Sequence, residues 1–132
     1  MAKSTDRLER LLADEIGECC DADLQQRLDE LKTLESEAGG DVDRDTSALA
    51  ALGNDTRYRI VRLLSAAEGD LCVCELDPLL DVSQSAVSHA LSDLADAGLV
   101  TRRKDGKWRH YATTERADAL VSALDDTRRA DE

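Results

Sequence analysis

Two cysteines one residue apart, Cys72 and Cys74, and an adjacent pair, Cys19 and Cys20, are the residues of this 132-residue chain best suited to hold a soft ion. Thiolates select zinc, cadmium, lead, copper(I) and, by the same softness, trivalent arsenic or antimony. Two sulfurs rarely suffice, so a third or fourth would come from Cys19 and Cys20, in the same or a partner subunit. The competing reading of Cys72 and Cys74 is that free cysteine packs as a small hydrophobe. For the adjacent pair, the charged neighbours Glu18, Asp21 and Asp23 favour exposure over burial.

A second constellation is polar. Gln84, Ser85, Ser88, His89 and Ser92 fall largely at i, i+3, i+4, i+7 spacing, one outer face of a helix whose opposite stripe is apolar. Small polar groups there can approach another surface closely. Residues 98–113 carry five cations, Arg102, Arg103, Lys104, Lys107 and Arg109, against one carboxylate, in a chain of net charge −12. The whole-chain charge argues against a nucleic-acid partner, but this short stretch is a local footprint for one. His89 alone is weak evidence, since a lone exposed histidine is usually just solvated. Trp108 and Tyr111 read as hairpin or core packing rather than base-stacking groups.

The elements that must present these residues follow from spacing. Leu8, Leu11, Leu12 and Ile16, then Leu24, Leu28, Leu31 and Leu34, predict two amphipathic helices, ended by Ala38-Gly39-Gly40. This amino-terminal helical extension with its Gly-rich linker spans residues 1–44, and the main domain 45–132. There, Leu49 and Leu52 suggest a short helix, and Asn54 caps a helix with core residues Ile60, Val61, Leu63 and Leu64. A third helical piece runs from about Cys72 to Leu80, with Pro78 limiting its regularity. Ser83 caps a strong helix with Ala86, Val87, Ala90, Leu91, Leu94 and Ala95 inward. Strands Leu99 to Arg103 and Trp108 to Ala112 flank an Asp105-Gly106 turn. Ala117, Leu120, Val121 and Leu124 mark a last helix.

The result is mainly α: a winged helix-turn-helix with a two-stranded β-hairpin wing and an added amino-terminal helical segment. Its second helix would enter the major groove of double-stranded DNA with Gln84, Ser85, Ser88, His89 and Ser92, while the five wing cations bind phosphates. On an ideal helix, residues i and i+2 lie about 200° apart. Cys72 and Cys74 could then share an ion only if their helix unwound, and that deformation would carry ion binding to the reading helix.

Composition bounds the rest. The length suits one cored domain with a helical appendage, no apolar stretch approaches a membrane span, and the amino terminus lacks a signal-peptide core, so a cytosolic protein is expected. Nineteen Asp, thirteen Arg and no Phe form a bias associated with salt-loaded cytoplasm, as in a halophilic archaeon. At about 1 M salt the Debye length is roughly 3 Å, which makes such an acidic shell tolerable. Cytosolic thiols are reduced, for metal or redox sensing rather than as disulfide staples. There is no Cys-x-x-Cys and no phosphate-cradling glycine loop, which disfavours a thiol enzyme.

These residues resemble the ArsR/SmtB family of metal-responsive repressors, over about Leu49 to Tyr111. Leu52-Gly53-Asn54-Asp55-Thr56-Arg57-Tyr58-Arg59-Ile60 is similar to the family's entry helix, with Asp55 where its proline is usual. Asp70-Leu71-Cys72-Val73-Cys74-Glu75-Leu76 looks like its metal-binding box. The segment from Ser83 to Leu91, Gly98-Leu99-Val100 and Asp105-Gly106-Lys107-Trp108 look like its DNA-reading unit. The resemblance implies a homodimeric operator-binding repressor with dimer contacts from terminal helices, released by a metal or metalloid. Arsenite-sensing members commonly place a third cysteine where this chain has Asp77, which leaves three-sulfur coordination to Cys19 or Cys20. Residues 114–132 contain no histidine, so the family's zinc site on the last helix is not expected.

The expected function is transcriptional repression, with no catalysis and no obligate cofactor. Arsenite or antimonite is the expected inducer, with cadmium or lead as the alternative, held by Cys72, Cys74, Cys19 and Cys20. A thiol redox-sensing regulator is the other reading.

Overall fold

The computed structural model describes residues 4–17 and 21–130. Cys19 and Cys20 lie outside the described residues. The chain divides into two compact units, Met1–Gly40 and Asp41–Glu132. The first holds helices α1 (Asp6–Ile16) and α2 (Asp21–Ala38), neither of which has a buried residue. The second opens with α3 (Val42–Leu52), whose first turn is closed by the Asp41 carboxylate accepting from the Arg44 amide at 3.1 Å. That cap draws Val42 and Asp43, which read as linker, into the helix.

Helix α4 (Asp55–Ala66) starts at Asn54, whose side chain accepts from the Arg57 amide at 3.1 Å. Its face Ile60, Val61 and Leu64 is fully buried against Leu76, Val87, Leu91, Leu94 and Leu99. Helix α6 (Gln84–Asp96) begins at Ser83, whose hydroxyl accepts from the Ala86 amide, and buries Val87, Ala90, Leu91 and Leu94. Ala95, expected in that stripe, is exposed.

The wing is β2 (Val100–Asp105) paired antiparallel with β3 (Trp108–Thr113). Asp105 faces Trp108 across a two-residue loop, Gly106-Lys107, and Gly106 has φ +64. A positive φ at the first loop position with none at Lys107 is the pattern of a type II′ hairpin, whose first position only glycine adopts cheaply. A third strand joins them. β1 (Leu71–Cys72) pairs with the other edge of β3, Leu71 opposite Tyr111 and Cys72 opposite His110, giving the order β1-β3-β2. Helix α7 (Glu115–Ala130) follows and buries Ala117 and Val121.

The expected helix over Cys72 to Leu80 is corrected by this strand. Leu71 and Cys72 are extended; α5 (Val73–Leu76) is a single turn, and a 3-10 turn Asp77–Leu79 takes up Pro78. The cause is non-local, since β3 supplies the backbone partners that hold Leu71 and Cys72 straight.

Candidate nucleic-acid interface and thiol pair

Because Cys72 precedes α5 instead of lying inside it, the argument from helical pitch no longer applies. Cys72 is the N-cap, with φ −74 and ψ 152; its amide donates to Glu75 Oε1 at 2.9 Å and its sulfur accepts from the Cys74 amide at 3.4 Å. The chain bends there, and the two sulfurs converge to 2.7 Å with both thiols free. A tetrahedral ion with sulfur bonds of about 2.3 Å would hold them roughly 3.8 Å apart, so capture opens the pair by about 1 Å. The two sulfurs already lie on one side of the bend, so no unwinding of the helix is needed to bring them together.

Cys72 is buried and Cys74 exposed. The hydrogen bond that Cys74 donates to Cys72 holds its thiol above the ordinary cysteine range, reinforced by partial desolvation and by the charges of Cys72 and Glu75. Asp77 does not join the sulfurs. Among the described residues no three His, Cys, Asp or Glu side chains are arranged to hold a metal, and Asp77 Oδ1 is buried without a hydrogen-bond partner.

The cap on α6 leaves Gln84, Ser85, Ser88, His89 and Ser92 all exposed on its outer side. Gln84, Ser88 and Ser92, one face at i, i+4, i+8, line a cleft of about 360 Å³. Its opposite wall is the wing, with Arg102, Lys107, Trp108, Arg109 and Tyr111, and its floor includes Cys72, Val73 and Cys74. The structure thus brings the thiol pair, three of the five reading-face residues and three of the five wing cations into one cleft. Ser85, His89 and Lys104 are exposed outside it, and Arg103 is engaged elsewhere.

Arg103 Nε donates to Asp70 Oδ2 at 2.9 Å, and that carboxylate's other oxygen lies 3.8 Å from His110 Nδ1. The bond to Arg103 keeps the Asp70 carboxyl below the usual carboxylate range. Arg102, Lys104, Lys107 and Arg109 bridge to no carboxylate among the described residues. Trp108, expected in the packing, is 50% exposed and lies beneath the Lys107 ammonium, 5.2 Å from its ring centroid. Tyr111 is the core residue, as expected, at 5% exposure.

Asp70 was missed in the sequence, as was Arg57. The Arg57 guanidinium donates to Ala51 O at 2.7 Å and Ala50 O at 3.3 Å, and reaches Asp93 of α6 at 3.4 Å. It ties the end of α3 to the reading helix.

The family model described as "Bacterial regulatory protein, arsR family" matches residues 54–102, the stretch from the α4 cap to Arg102. A protein of Halobacterium salinarum named as an arsenical resistance operon repressor, ArsR, is 59% identical over 127 residues, covering 96% of this chain and 98% of the relative. The chain belongs to the ArsR family. A second protein of that organism, named as the repressor ArsR2, is 52% identical over 94 residues, 67% of this chain and 79% of its own. Among solved structures, the homodimeric winged helix-turn-helix DNA-binding domain Mb0332 of Mycobacterium bovis superimposes with a TM-score of 0.58 at 25% identity, over 69% of this chain and 86% of that one. The ArsR-family chain is therefore a winged helix-turn-helix transcriptional regulator and not an enzyme. Its acid-rich composition accords with relatives from a halophilic archaeon. No described helix is long and apolar enough to cross a membrane.

Proposed function

We propose that this chain is a cytoplasmic, homodimeric repressor that leaves its operator when trivalent arsenic or antimony is captured by Cys72 and Cys74. The observation that carries this reading is the convergence of two free sulfurs in the cleft between the reading helix and the wing. Gln84, Ser85, Ser88, His89 and Ser92 face the major groove, and Arg102, Lys104, Lys107 and Arg109 neutralise phosphates, with Arg103 joining once it leaves Asp70. The relatives named for arsenical resistance support the choice of inducer.

Arsenic in this state takes three thiolates, so Cys19 or Cys20 completes the set. Cadmium or lead, which readily take four, would use both. Dimerisation is supported by the apolar Leu49 of α3 and Leu124 of α7, 60% and 48% exposed on the single chain, and by the homodimeric M. bovis domain. The separation of the two sulfurs also favours a second reading, in which hydrogen peroxide oxidises the pair to a disulfide with release of two waters.

The deciding experiment is a mobility-shift titration on DNA upstream of the chain's own gene, with the protein reduced and arsenite, antimonite, cadmium, lead and zinc added in turn at stated salt. Release by arsenite and antimonite below the concentration needed of the others supports the reading. Release by none of them, with release by peroxide, replaces it with the redox one.

A further inference from the structure

We propose that Trp108 is an apolar anchor for DNA: its indole lies on the deoxyribose face of the strand whose phosphates the wing cations bind, a contact that salt leaves intact. The inference rests on the repressor reading above and adds a residue to its DNA contact.

Three observations carry it. The first is that the fold gives this indole no apolar partner. Among the described residues Trp108 belongs neither to the buried core nor to the apolar side chains packed against it, and it is half exposed at the open end of the hairpin, opposite Asp105. Half an indole left in water contributes nothing to folding there, and tryptophan is enriched where proteins meet a partner.

The second is place. Trp108 lines the cleft between α6 and the wing, together with Ser88 and Ser92 of the reading helix and Arg102, Lys107 and Arg109. The Lys107 ammonium stands over its ring. Sugar and phosphate alternate along a DNA strand, so a phosphate paired with Lys107 brings the adjoining deoxyribose to the indole.

The third is charge. The acid-rich composition and the halophilic relatives point to work in concentrated salt. Of the five wing cations only Arg103 is bridged to a carboxylate among the described residues, which leaves four for phosphates. Four such contacts, at about 0.9 in log K each, weaken binding roughly four-thousandfold for each tenfold rise in salt. Apolar burial releases no counterions and keeps its strength. On area alone, covering the exposed half of the indole, about 100 Å², corresponds to roughly sixtyfold in Kd, and about tenfold is expected after the cost of ordering the contact.

Trp108 is the only tryptophan of the chain, so the first test needs no variant. Emission of the reduced full-length protein is followed as operator is added, with acrylamide as collisional quencher. The acrylamide quenching constant is expected to fall to about half or less at saturating operator. An unchanged constant, while anisotropy of labelled operator reports binding, overturns the inference and leaves the repressor reading in place. Absence of operator binding at any salt overturns both.

The second test separates the anchor from the cations. Trp108→Ala is expected to weaken operator and unrelated DNA alike, about tenfold per bound subunit at every salt from 0.1 to 1 M, with the slope of log K on log salt unchanged. Trp108→Phe should recover most of that loss. Arg102→Ala, by contrast, lowers the slope, so its effect shrinks as salt rises. An equal Kd for Trp108→Ala and the native chain overturns the contact, and a loss confined to operator overturns its assignment to the sugar. A reduced slope in Trp108→Ala would mean that the ring acts only by holding Lys107, and overturns it as well.

Discussion

Arg103 of the wing and Asp70, the residue just before β1, are joined by a 2.9 Å hydrogen-bonded ion pair across 33 residues of sequence. The pair fastens the hairpin to the segment carrying the thiols and at the same time removes one wing cation from service. Asp70→Asn is expected to free it, tightening operator binding several-fold at 0.1 M salt and steepening the dependence of log K on log salt by about one unit. An unchanged slope from a salt titration would show that Arg103 stays off the phosphates.

The same pair predicts a pH dependence of known sign. The Arg103 hydrogen bond and charge lower the Asp70 carboxyl pKa below its ordinary value. Its contribution to stability is therefore complete above the ordinary carboxylate range and disappears as pH falls through the lowered value. Thermal melts of the native chain and of Asp70→Asn, followed by circular dichroism from pH 6 to pH 2, are expected to differ at the upper end and converge at the lower.

Arg102, Lys107 and Arg109 should behave alike as phosphate-binding cations. Replacing any one by Ala is expected to weaken binding to operator and to unrelated DNA by similar factors, and to reduce the salt slope by about 0.9. Ser88→Ala or Gln84→Ala, on the reading face, should instead weaken the operator selectively, by about 1–3 kcal/mol if the lost contact is a good one. Equal losses on both DNAs for Gln84 and Ser88 would remove α6 from base readout.

Inducer chemistry can be read from protons. The Cys74 thiol is held above the ordinary cysteine range by its hydrogen bond to Cys72, so at pH 7 it is protonated before capture. Cadmium must displace the Cys74 proton, and its affinity is expected to rise with pH up to the raised pKa, with protons released on capture. Arsenous acid loses hydroxyl as water, so its affinity should be nearly flat between pH 6 and pH 8. Calorimetry in buffers of different ionisation enthalpy gives both counts directly. Changing Cys72 or Cys74 to Ser should abolish capture in either case while repression persists.

What could be read from the residues was local. The Ser83 cap and the apolar stripe Val87, Leu91 and Leu94 are each decided within a few positions, and the structure places them as expected; the hairpin turn forms at Gly106 too, but one residue later than the expected Asp105-Gly106, with Asp105 paired to Trp108 in the strand. The segment at Cys72 was misjudged because its extended form depends on pairing with Tyr111 and His110, nearly forty residues later. Arg57 reads as one more helix-surface arginine until its bonds to Ala50 and Ala51 are seen, and Trp108 as packing until Lys107 and the cleft are. The site's residue types were thus legible, while the geometry that removes the need for helix unwinding was not.

Arg57 supplies the last test, because it joins fold and site. Its guanidinium, 24% exposed, accounts for two backbone carbonyls at the end of α3 and reaches Asp93 on the reading helix. Charged hydrogen bonds of this kind contribute about 1.5–3 kcal/mol in total when one donor serves them from a half-buried position. Arg57→Ala is expected to lose that much in urea denaturation. Arg57→Lys should recover part of it, since an ammonium can reach one carbonyl but cannot span two carbonyls and a carboxylate. Asp93→Ala, which removes only the exposed end of the clamp, should cost under about 1 kcal/mol. If the Arg57→Ala and Asp93→Ala losses are equal, the carbonyl bonds contribute nothing measurable and the seating of α3 depends on its apolar contacts, Ala48, Ala51 and Leu52.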